Sequence, residues 1–558
     1  MTWRFITLIF VSTLSFLGLI VHLYDLQIKE GQMYAAQAAS QYRSSGALAP
    51  RRGSIYFTDK RGERIVAVLN KNYMRVFAVP TEIEDVEEVA ENLSRVLGID
   101  VAELRQKLSK KNDSYELLQT KLTPKLVAGI EALHSKGIYI KNQESRFYPF
   151  GALAAHLIGF VGPRGEDDEL KGRYGIEAKY DADLSGKLTL QDKERFSQVS
   201  EGKDILLTID RNIQGIAEEI LEKLVATHHA SGGTVIVEDP KSGKILALAA
   251  NPDFDPNAYG SAPLSSFLNP AVEAVYEPGS VFKVLTMAAG IDSGKITPET
   301  RYTDTGSLTL NRKTIQNWDK KAHGSVTMTE VIEKSLNTGA AFAEKTMGHE
   351  TFLHYLNLFG IEEKTNIDLP GEVGGSLKSL RKRAPASPAA GQGGQDINFA
   401  TASFGQGVAT TPIRLIAAIS ALANGGVMMR PYLRADAVPE PIRQVISHES
   451  ARVVTAMMVS AVKKATIAQI PHYTIAGKTG TAQVPDFKRG GYADEFIHTY
   501  TGFAPAYDPR FVILIKLDKP QGAPLAGTTV VPAFRELVQF LLNYYAIPPD
   551  NLPKEEML

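Results

Sequence analysis

Three short stretches carry side chains whose types and spacing suit acyl-transfer chemistry. In the first, Ser280 and Lys283 follow the turn residues Pro278 and Gly279 and open an apolar, helix-favouring run, Val281 to Ala289. Helical residues three apart share a face, so Lys283 lies beside Ser280. A serine hydroxyl becomes a nucleophile when a base takes its proton, and a neutral amine can do so. The positive end of a helix, together with burial, disfavours the ammonium form. Taken alone, the pair is more simply a capping serine and a snorkelling lysine.

The second stretch, Glu333-Lys334-Ser335-Leu336-Asn337-Thr338-Gly339, ends one helical pattern and precedes another. Residues two apart do not share a helical face, so Ser335 and Asn337 act together only on a turn, for which Asn337 and Gly339 supply the chemistry. A hydroxyl and a carboxamide projecting into one cleft can relay a proton and hold a substrate amide. The third stretch is Gly477-Lys478-Thr479-Gly480-Thr481-Ala482-Gln483, in a strand-like context. Period-two alternation puts Thr479 and Thr481 on one face, Lys478 adds positive charge, and Gly480 leaves room for a close backbone approach. Such a surface suits a carboxylate. A phosphate-binding loop is excluded, because that motif needs glycine where His472 stands.

The elements that must position these residues are legible in outline. Strand-like runs at Asp204–Ile209, Thr234–Glu238 and Lys244–Ala250 flank a helix at Asp210–Leu224, and strands return at Tyr473–Val484, Thr499–Phe503 and Phe511–Leu517. Helical patterns cover 281–291, 328–347, 350–358 and 411–424, and the last helix is Val531–Tyr545. Strands at both ends of a helical middle predict one mostly antiparallel sheet packed with helices. Upstream, Val86–Leu97, Val101–Leu108 and Pro124–Lys136 read as helices, the last with Thr123 as its cap. His156 has no partner at metal-ligand spacing and reads as structural. Ala384–Gln395 reads as a mobile loop, and Lys378 to Arg383 as a solvated basic face.

A length of 558 residues predicts two to four domains. Lys+Arg 61 against Asp+Glu 62 gives no bulk charge that would favour nucleic acid, and the absence of cysteine excludes disulfides and thiolate chemistry. Phe5 to Tyr24 contains no acid, lysine or arginine and is long enough to span a hydrocarbon layer of ~30 Å. Arg4 on the short leading tail places the N-terminus inside and everything after Asp25 outside. A cleaved signal peptide is the competing reading, but the Ala36-Gln37-Ala38 triplet lies well beyond the apolar end.

The ordered set S-x-x-K, S-x-N and K-T-G resembles the class B penicillin-binding proteins, monofunctional cell-wall D,D-transpeptidases, over almost the full chain. Arg52-Gly53-Ser54-Ile55, Arg146-Phe147-Tyr148-Pro149, Gly175-Ile176-Glu177, Tyr276-Glu277-Pro278-Gly279-Ser280 and Phe404-Gly405-Gln406-Gly407 add to the likeness. The resemblance implies a mixed α/β (α+β) architecture in four parts. These are a tail and transmembrane anchor at 1–24, an elongated pedestal or dimerisation-like domain at 25–200, a serine transpeptidase, β-lactamase-like domain at 201–547, and a polar tail at 548–558. It further implies that Ser280 attacks the penultimate D-alanine carbonyl of a stem peptide, with Lys283 as base and Ser335 relaying the proton. Asn337 would hold the substrate amide, and Lys478, Thr479, Gly480 and Thr481 would form the carboxylate site. The oxyanion would rest on the N–H groups of Ser280 and Thr481.

The implied partners are peptidoglycan stem peptides, β-lactams, a membrane-embedded glycan polymerase and other divisome proteins, with no cofactor, metal or nucleic acid. The catalytic domain would face the outer side of the cytoplasmic membrane. The spacing from anchor to catalytic region and the Gly175-Ile176-Glu177 context favour a septal role over an elongation role. A non-catalytic wall-assembly scaffold and a β-lactam sensor are less favoured functions for an anchored chain of this kind. Two features depart from familiar patterns. Two extra residues separate Ile55 from Asp59 in the first family block. Glu333 to Asn337 also spells the E-x-x-L-N string of class A β-lactamases, but there a separate S-x-N precedes it.

Overall fold

The computed structural model describes residues 2–24, 50–110, 115–164, 167–190, 197–381, 396–486 and 488–551. The Ala36–Ala38 triplet, the Ala384–Gln395 loop, Lys382, Arg383 and the tail beyond 551 lie outside the described residues. The chain divides into two compact units, residues 1–53 with 182–204, and residues 54–181 with 205–558.

In the first unit, helix α1 (Thr2–Tyr24) is exposed along its length, with a mean hydropathy of 2.2. It is long and apolar enough to cross a membrane. The same unit holds a hairpin of Lys187–Leu190 with Ser197–Ser200, and Gly53 donates its N–H to the Leu184 carbonyl.

The second unit begins with a five-stranded mixed sheet. Strand β1 (Ile55–Thr58) pairs with the 14-residue β2 (Ile65–Ala78), which pairs in turn with β3 (Glu116–Leu122) and β4 (Ile138–Phe147). On its other side β1 runs parallel to β5 (Ile205–Asp210). The two extra residues before Asp59 are taken up in β1, and Asp59 then accepts the N–H groups of Arg61 and Glu63 to close the β1–β2 turn. Helices α2 (Val86–Leu97) and α3 (Val101–Leu108) start on Asp85 and Asp100, whose carboxylates accept backbone N–H groups, and Gly98 ends α2 at φ 72°. Helix α4 (Pro124–Glu131) stops short of the expected Lys136. Leu133 and His134 close it with three-residue turns, and His134 and Gly137 take positive φ. Leu93, Leu104, Leu118 and Ile130 form the core beneath these helices.

Arg146 and Glu177, 31 residues apart in sequence, meet in a buried ion pair at 2.8 Å, and Arg146 also donates to Asn70. Removing one partner strands the other charge away from water. Glu177→Ala is therefore expected to cost about 3–5 kcal/mol, read as a lower thermal midpoint, with Glu177→Gln losing less. His156 is structural, as its isolation implies: its Nε2 lies 2.9 Å from the Ser266 carbonyl and its ring meets the Phe254 edge.

Downstream lies an antiparallel five-stranded sheet in the order β7-β6-β10-β9-β8, formed by β6 (Gly232–Glu238), β7 (Ile245–Asn251), β8 (Ala476–Pro485), β9 (Tyr492–Ala504) and β10 (Phe511–Asp518). Every residue of β6 is buried, which is why Val235, Ile236 and Val237 run together without alternation. Strand β8 begins at Ala476 and not at Tyr473, because the Tyr473 and Thr474 N–H groups go to the Ile470 carbonyl and the Asp550 carboxylate. The helices that frame the site include α5 (Arg211–His228), α6 (Lys283–Asp292), α7 (Met328–Lys334), α8 (Asn337–Met347), α9 (Pro412–Ala423), α10 (His448–Ala465) and α11 (Val530–Tyr544). Helices α5 and α11 close one apolar core with the sheet, through Ile213, Leu221, Phe534 and Leu541. Helix α9 packs on β6 and β10, and α10 on β8, α6 and α7. The expected helical stretch 328–347 is broken at Ser335 and Leu336, between α7 and α8.

Candidate active site

Ser280 sits on a short 3-10 turn, Gly279–Phe282, that leads directly into α6. Gly279 takes φ +58° and donates its N–H to the Gly405 carbonyl at 3.1 Å. A Cβ on Gly405 would meet the Gly279 carbonyl at 2.3 Å, so the Phe404–Gly407 segment closes tightly behind the serine. Glu277 ties this arrangement together by accepting the Gly407 N–H and the Tyr492 hydroxyl, each at 3.0 Å. In front, the outer edge of β8 runs along the turn. A Cβ on Gly480 would lie 2.8 Å from the Pro278 carbonyl oxygen and 2.9 Å from Val281 Cγ2. Only glycine permits this approach.

Lys283 begins α6 and is fully buried. Its Nζ donates to the Ser335 carbonyl at 2.6 Å and contacts Ser335 Oγ at 3.2 Å. Lys478, also buried, donates from Nζ to the same Oγ at 3.0 Å and to the carbonyl and hydroxyl of Thr479 at 3.2 and 3.3 Å. Two ammonium groups sharing one hydroxyl in a dry site repel, and burial opposes both charges. Burial, and then the Lys478 charge, hold Lys283 well below the usual lysine range. Burial pushes Lys478 down to about 7. Both shifts favour the neutral amine, and any charge on Lys478 further favours a neutral Lys283 across the shared hydroxyl. The Ser280 hydroxyl, half-buried and three residues before Lys283, hydrogen-bonds to no other described residue. Such contacts are often loose before substrate arrives.

Ser335 ends α7 in the left-handed region, at φ 55°, where glycine is the usual occupant. That conformation turns both its carbonyl and its hydroxyl toward Lys283. Asn337 begins α8, and its amide donates to the Gln316 carbonyl at 2.8 Å. The turn is held by residues the sequence did not single out. Asn317 Oδ1 accepts the N–H groups of Asn337 and Thr338, while its Nδ2 donates to Asp304. Asp304 also accepts from the Thr338 hydroxyl at 2.7 Å and from the Gly306 and His323 N–H groups, and these donors hold its carboxyl below the usual range against burial. Trp318 donates its indole N–H to the Lys334 carbonyl, just before the turn. Because 304, 317 and 338 are far apart in sequence, no motif spacing announces them.

Thr479 and Thr481 lie on one face of β8, opposite Tyr500 and His498 of β9. Thr481 Oγ1 accepts the Ala526 N–H at 3.2 Å. Glu333 takes a hydrogen bond from Ser460 of α10, so its carboxylate is engaged away from the serine turn. Among the described residues, no cluster of three His, Asp or Glu side chains could hold a metal ion. The structure therefore brings Lys283, Ser335 and Lys478 into direct contact, sets Ser280 and β8 against each other through backbone, and commits the Asn337 amide to a neighbouring carbonyl.

Residues 233–539 match the family model of the penicillin binding protein transpeptidase domain, and residues 47–212 that of the penicillin-binding protein dimerisation domain. The chain is 30% identical to stage V sporulation protein D of Bacillus subtilis (strain 168), over 98% of its length and 86% of that protein's. It is also 30% identical to the probable peptidoglycan D,D-transpeptidase PenA of Neisseria meningitidis (strain Z2491), over 96% of this chain and 92% of the relative. The crystal structure of penicillin binding protein 2X from Streptococcus thermophilus superposes with a TM-score of 0.70 at 22% identity, covering 89% of this chain and 80% of that one, which speaks to the fold.

Proposed function

This chain belongs to the class B penicillin-binding proteins, and on that footing we propose that it cross-links peptidoglycan by D,D-transpeptidation through an acyl-enzyme on Ser280. The observation that carries the mechanism is the pair of buried lysines on Ser335 Oγ, both held toward the neutral amine by burial. With Lys283 neutral, its lone pair takes the Ser280 proton as Oγ bonds to the penultimate D-alanine carbonyl carbon. The carbonyl oxygen becomes an anion held by the Ser280 and Thr481 N–H groups, where preorganised donors lower the barrier. Ser335 then passes the proton from Lys283 to the departing D-alanine nitrogen as the C–N bond breaks. In the second half, an acceptor amine attacks the ester and gives a proton to Lys283, which passes it to the Ser280 oxygen as the C–O bond breaks.

Lys478, Thr479, Gly480 and Thr481 form the site for the terminal carboxylate, and Asn337 borders the substrate amide. The engagement of Glu333 by Ser460 supports transfer to an amine over rapid hydrolysis, because this carboxylate is not left to activate water. β-Lactams, which mimic the D-Ala-D-Ala end, acylate the same serine. The direct test is incubation of the full chain with a D-Ala-D-Ala stem peptide and an acceptor amine. Release of D-alanine with formation of a cross-linked dimer is expected; a binding-only or inert protein would refute the reading.

The anchor reading puts the N-terminus inside and the catalytic region outside, supported by Arg4 before Phe5 to Tyr24. A septal role beside a membrane-embedded glycan polymerase and other divisome proteins is supported by the anchor-to-catalytic spacing and the Gly175-Ile176-Glu177 context. A fluorescent fusion gathering at mid-cell is the expected result, and a sidewall pattern would overturn that role. The Asp304–Asn317–Thr338 network fixes the Ser335 turn, so Asn317→Leu is expected to slow penicillin acylation by about 10–10²-fold, the cost of a small misplacement of a reacting group. Stopped-flow acylation kinetics measure it.

A further inference from the structure

His498 lies in β9 directly across from Thr481, is fully buried, and has no part in the mechanism above. Its Nδ1 is 2.9 Å from Thr529 Oγ1. Thr529, itself buried, donates from Oγ1 to the Ala526 carbonyl at 3.3 Å. Among the described residues, the buried His498 Nε2 has no hydrogen-bond partner. The imidazole therefore carries its proton on Nδ1, where Thr529 Oγ1 accepts it and gives its own proton to Ala526. The backbone of Ala526 completes the path, because its N–H donates to Thr481 Oγ1 at 3.2 Å. Burial, with His228 nearby, pushes the His498 imidazole down to about 4, so the ring is neutral and the tautomer assignment holds at neutral pH.

This path has a directional consequence. The Ala526–Thr528 segment is a single 3-10 turn of three residues, too short to hold itself in place. Tied by His498 and Thr529 to the second strand of the sheet, it presents its N–H to a fixed point on Thr481. A threonine hydroxyl has one proton to give. With a lone pair occupied by Ala526, that proton is directed outward as a donor, which is what an incoming carboxylate requires. We propose that His498 is a positioning residue which, through Thr529 and the Ala526 turn, sets the Thr481 hydroxyl as a donor to the terminal carboxylate of the stem peptide or of a β-lactam. The proposal rests on the reading of Thr481 as a carboxylate ligand.

The test compares acylation of the full chain by a penicillin with a free carboxylate and by its methyl ester. His498→Leu fills the space without a donor, and Thr529→Val removes the hydroxyl at nearly constant shape. Each is expected to lower the acid-over-ester rate preference about tenfold, while the ester rate stays near wild type. The double variant falls no further than either single one, because the residues act in one path. His498→Asn, whose amide nitrogen falls near the Nδ1 position, is expected to keep the preference. Equal slowing of acid and ester would mark His498 as merely structural and overturn the proposal. So would an unchanged preference in Thr529→Val, which also serves if His498→Leu fails to fold. Acylation at the wild-type rate in Ser280→Ala would instead overturn the site reading beneath it, a result separable from the other two.

Discussion

Ser280→Ala is expected to abolish the covalent adduct with fluorescent penicillin and to lower D-alanine release from a stem peptide by more than about 10³-fold, the scale on which removal of a nucleophile acts. The experiment is clean for a structural reason. The Ser280 hydroxyl hydrogen-bonds to no other described residue, and its turn is held by its neighbours: Gly279 on Gly405, Glu277 on Gly407 and Tyr492. Alanine removes one half-buried oxygen and leaves those bonds in place, so the thermal midpoint should stay near that of wild type, as for other substitutions that break no buried network. An adduct that persists in the variant, mapped to another residue by peptide mass spectrometry, would remove Ser280 from its role.

The second large effect concerns Lys283 and its pH dependence. Lys283→Met is expected to slow acylation by about 10²–10⁴-fold, the usual contribution of a positioned general base. In the wild type, Lys283 must be neutral to take a proton, so the acylation rate should rise with pH as its ammonium is lost. Lys478 acts as the cation, so the rate should fall again as pH passes about 7, where burial has brought its titration. The two amines share Ser335 Oγ, so the limbs of this bell belong to the pair. Removing the Lys478 charge relieves one of the two causes that depress Lys283. Lys478→Met should therefore move the rising limb to higher pH and erase the falling one, at reduced rate. A rising limb that stays put, measured by stopped-flow acylation from the acid through the alkaline range, would show that the two lysines do not sense each other.

The sign for stability follows from the same shifts. A lysine whose folded titration lies below that of the unfolded chain leaves the unfolded state holding more protons between the two values. Native stability should then increase as pH rises from about 7 toward the ordinary lysine range. The site is thus held together against a local electrostatic cost, which the packing around α6 and β8 must offset.

Several features were legible because they depend only on neighbours in the chain. The cap Thr123 accepts the Leu126 N–H beside it, and α2 and α3 have the ends that their patterns predict. The apolar run of α1 follows from composition alone. The strand containing Lys478 to Thr481 was visible in alternation, and Gly480 in the need for a close approach, although only the structure identified the Pro278 carbonyl as what approaches. Where local pattern failed, a distant partner had intervened. Asp550 takes the Thr474 N–H and so delays β8.

What the sequence determined by itself about this protein was therefore the set of reactive residue types, their order, and the elements that bear them, since propensity, capping and periodicity act over a few residues. Tertiary structure alone decided that Lys283 and Lys478 converge on a single hydroxyl, and that Asp304, Asn317 and Thr338 lock the turn that offers it. It also decided that His498 reaches Thr481 through a turn distant from both in sequence. Burial is the physical reason. The charge state of a lysine and the direction of a hydroxyl proton depend on what surrounds them in space, and those neighbours arrive from strands and loops that no local pattern connects.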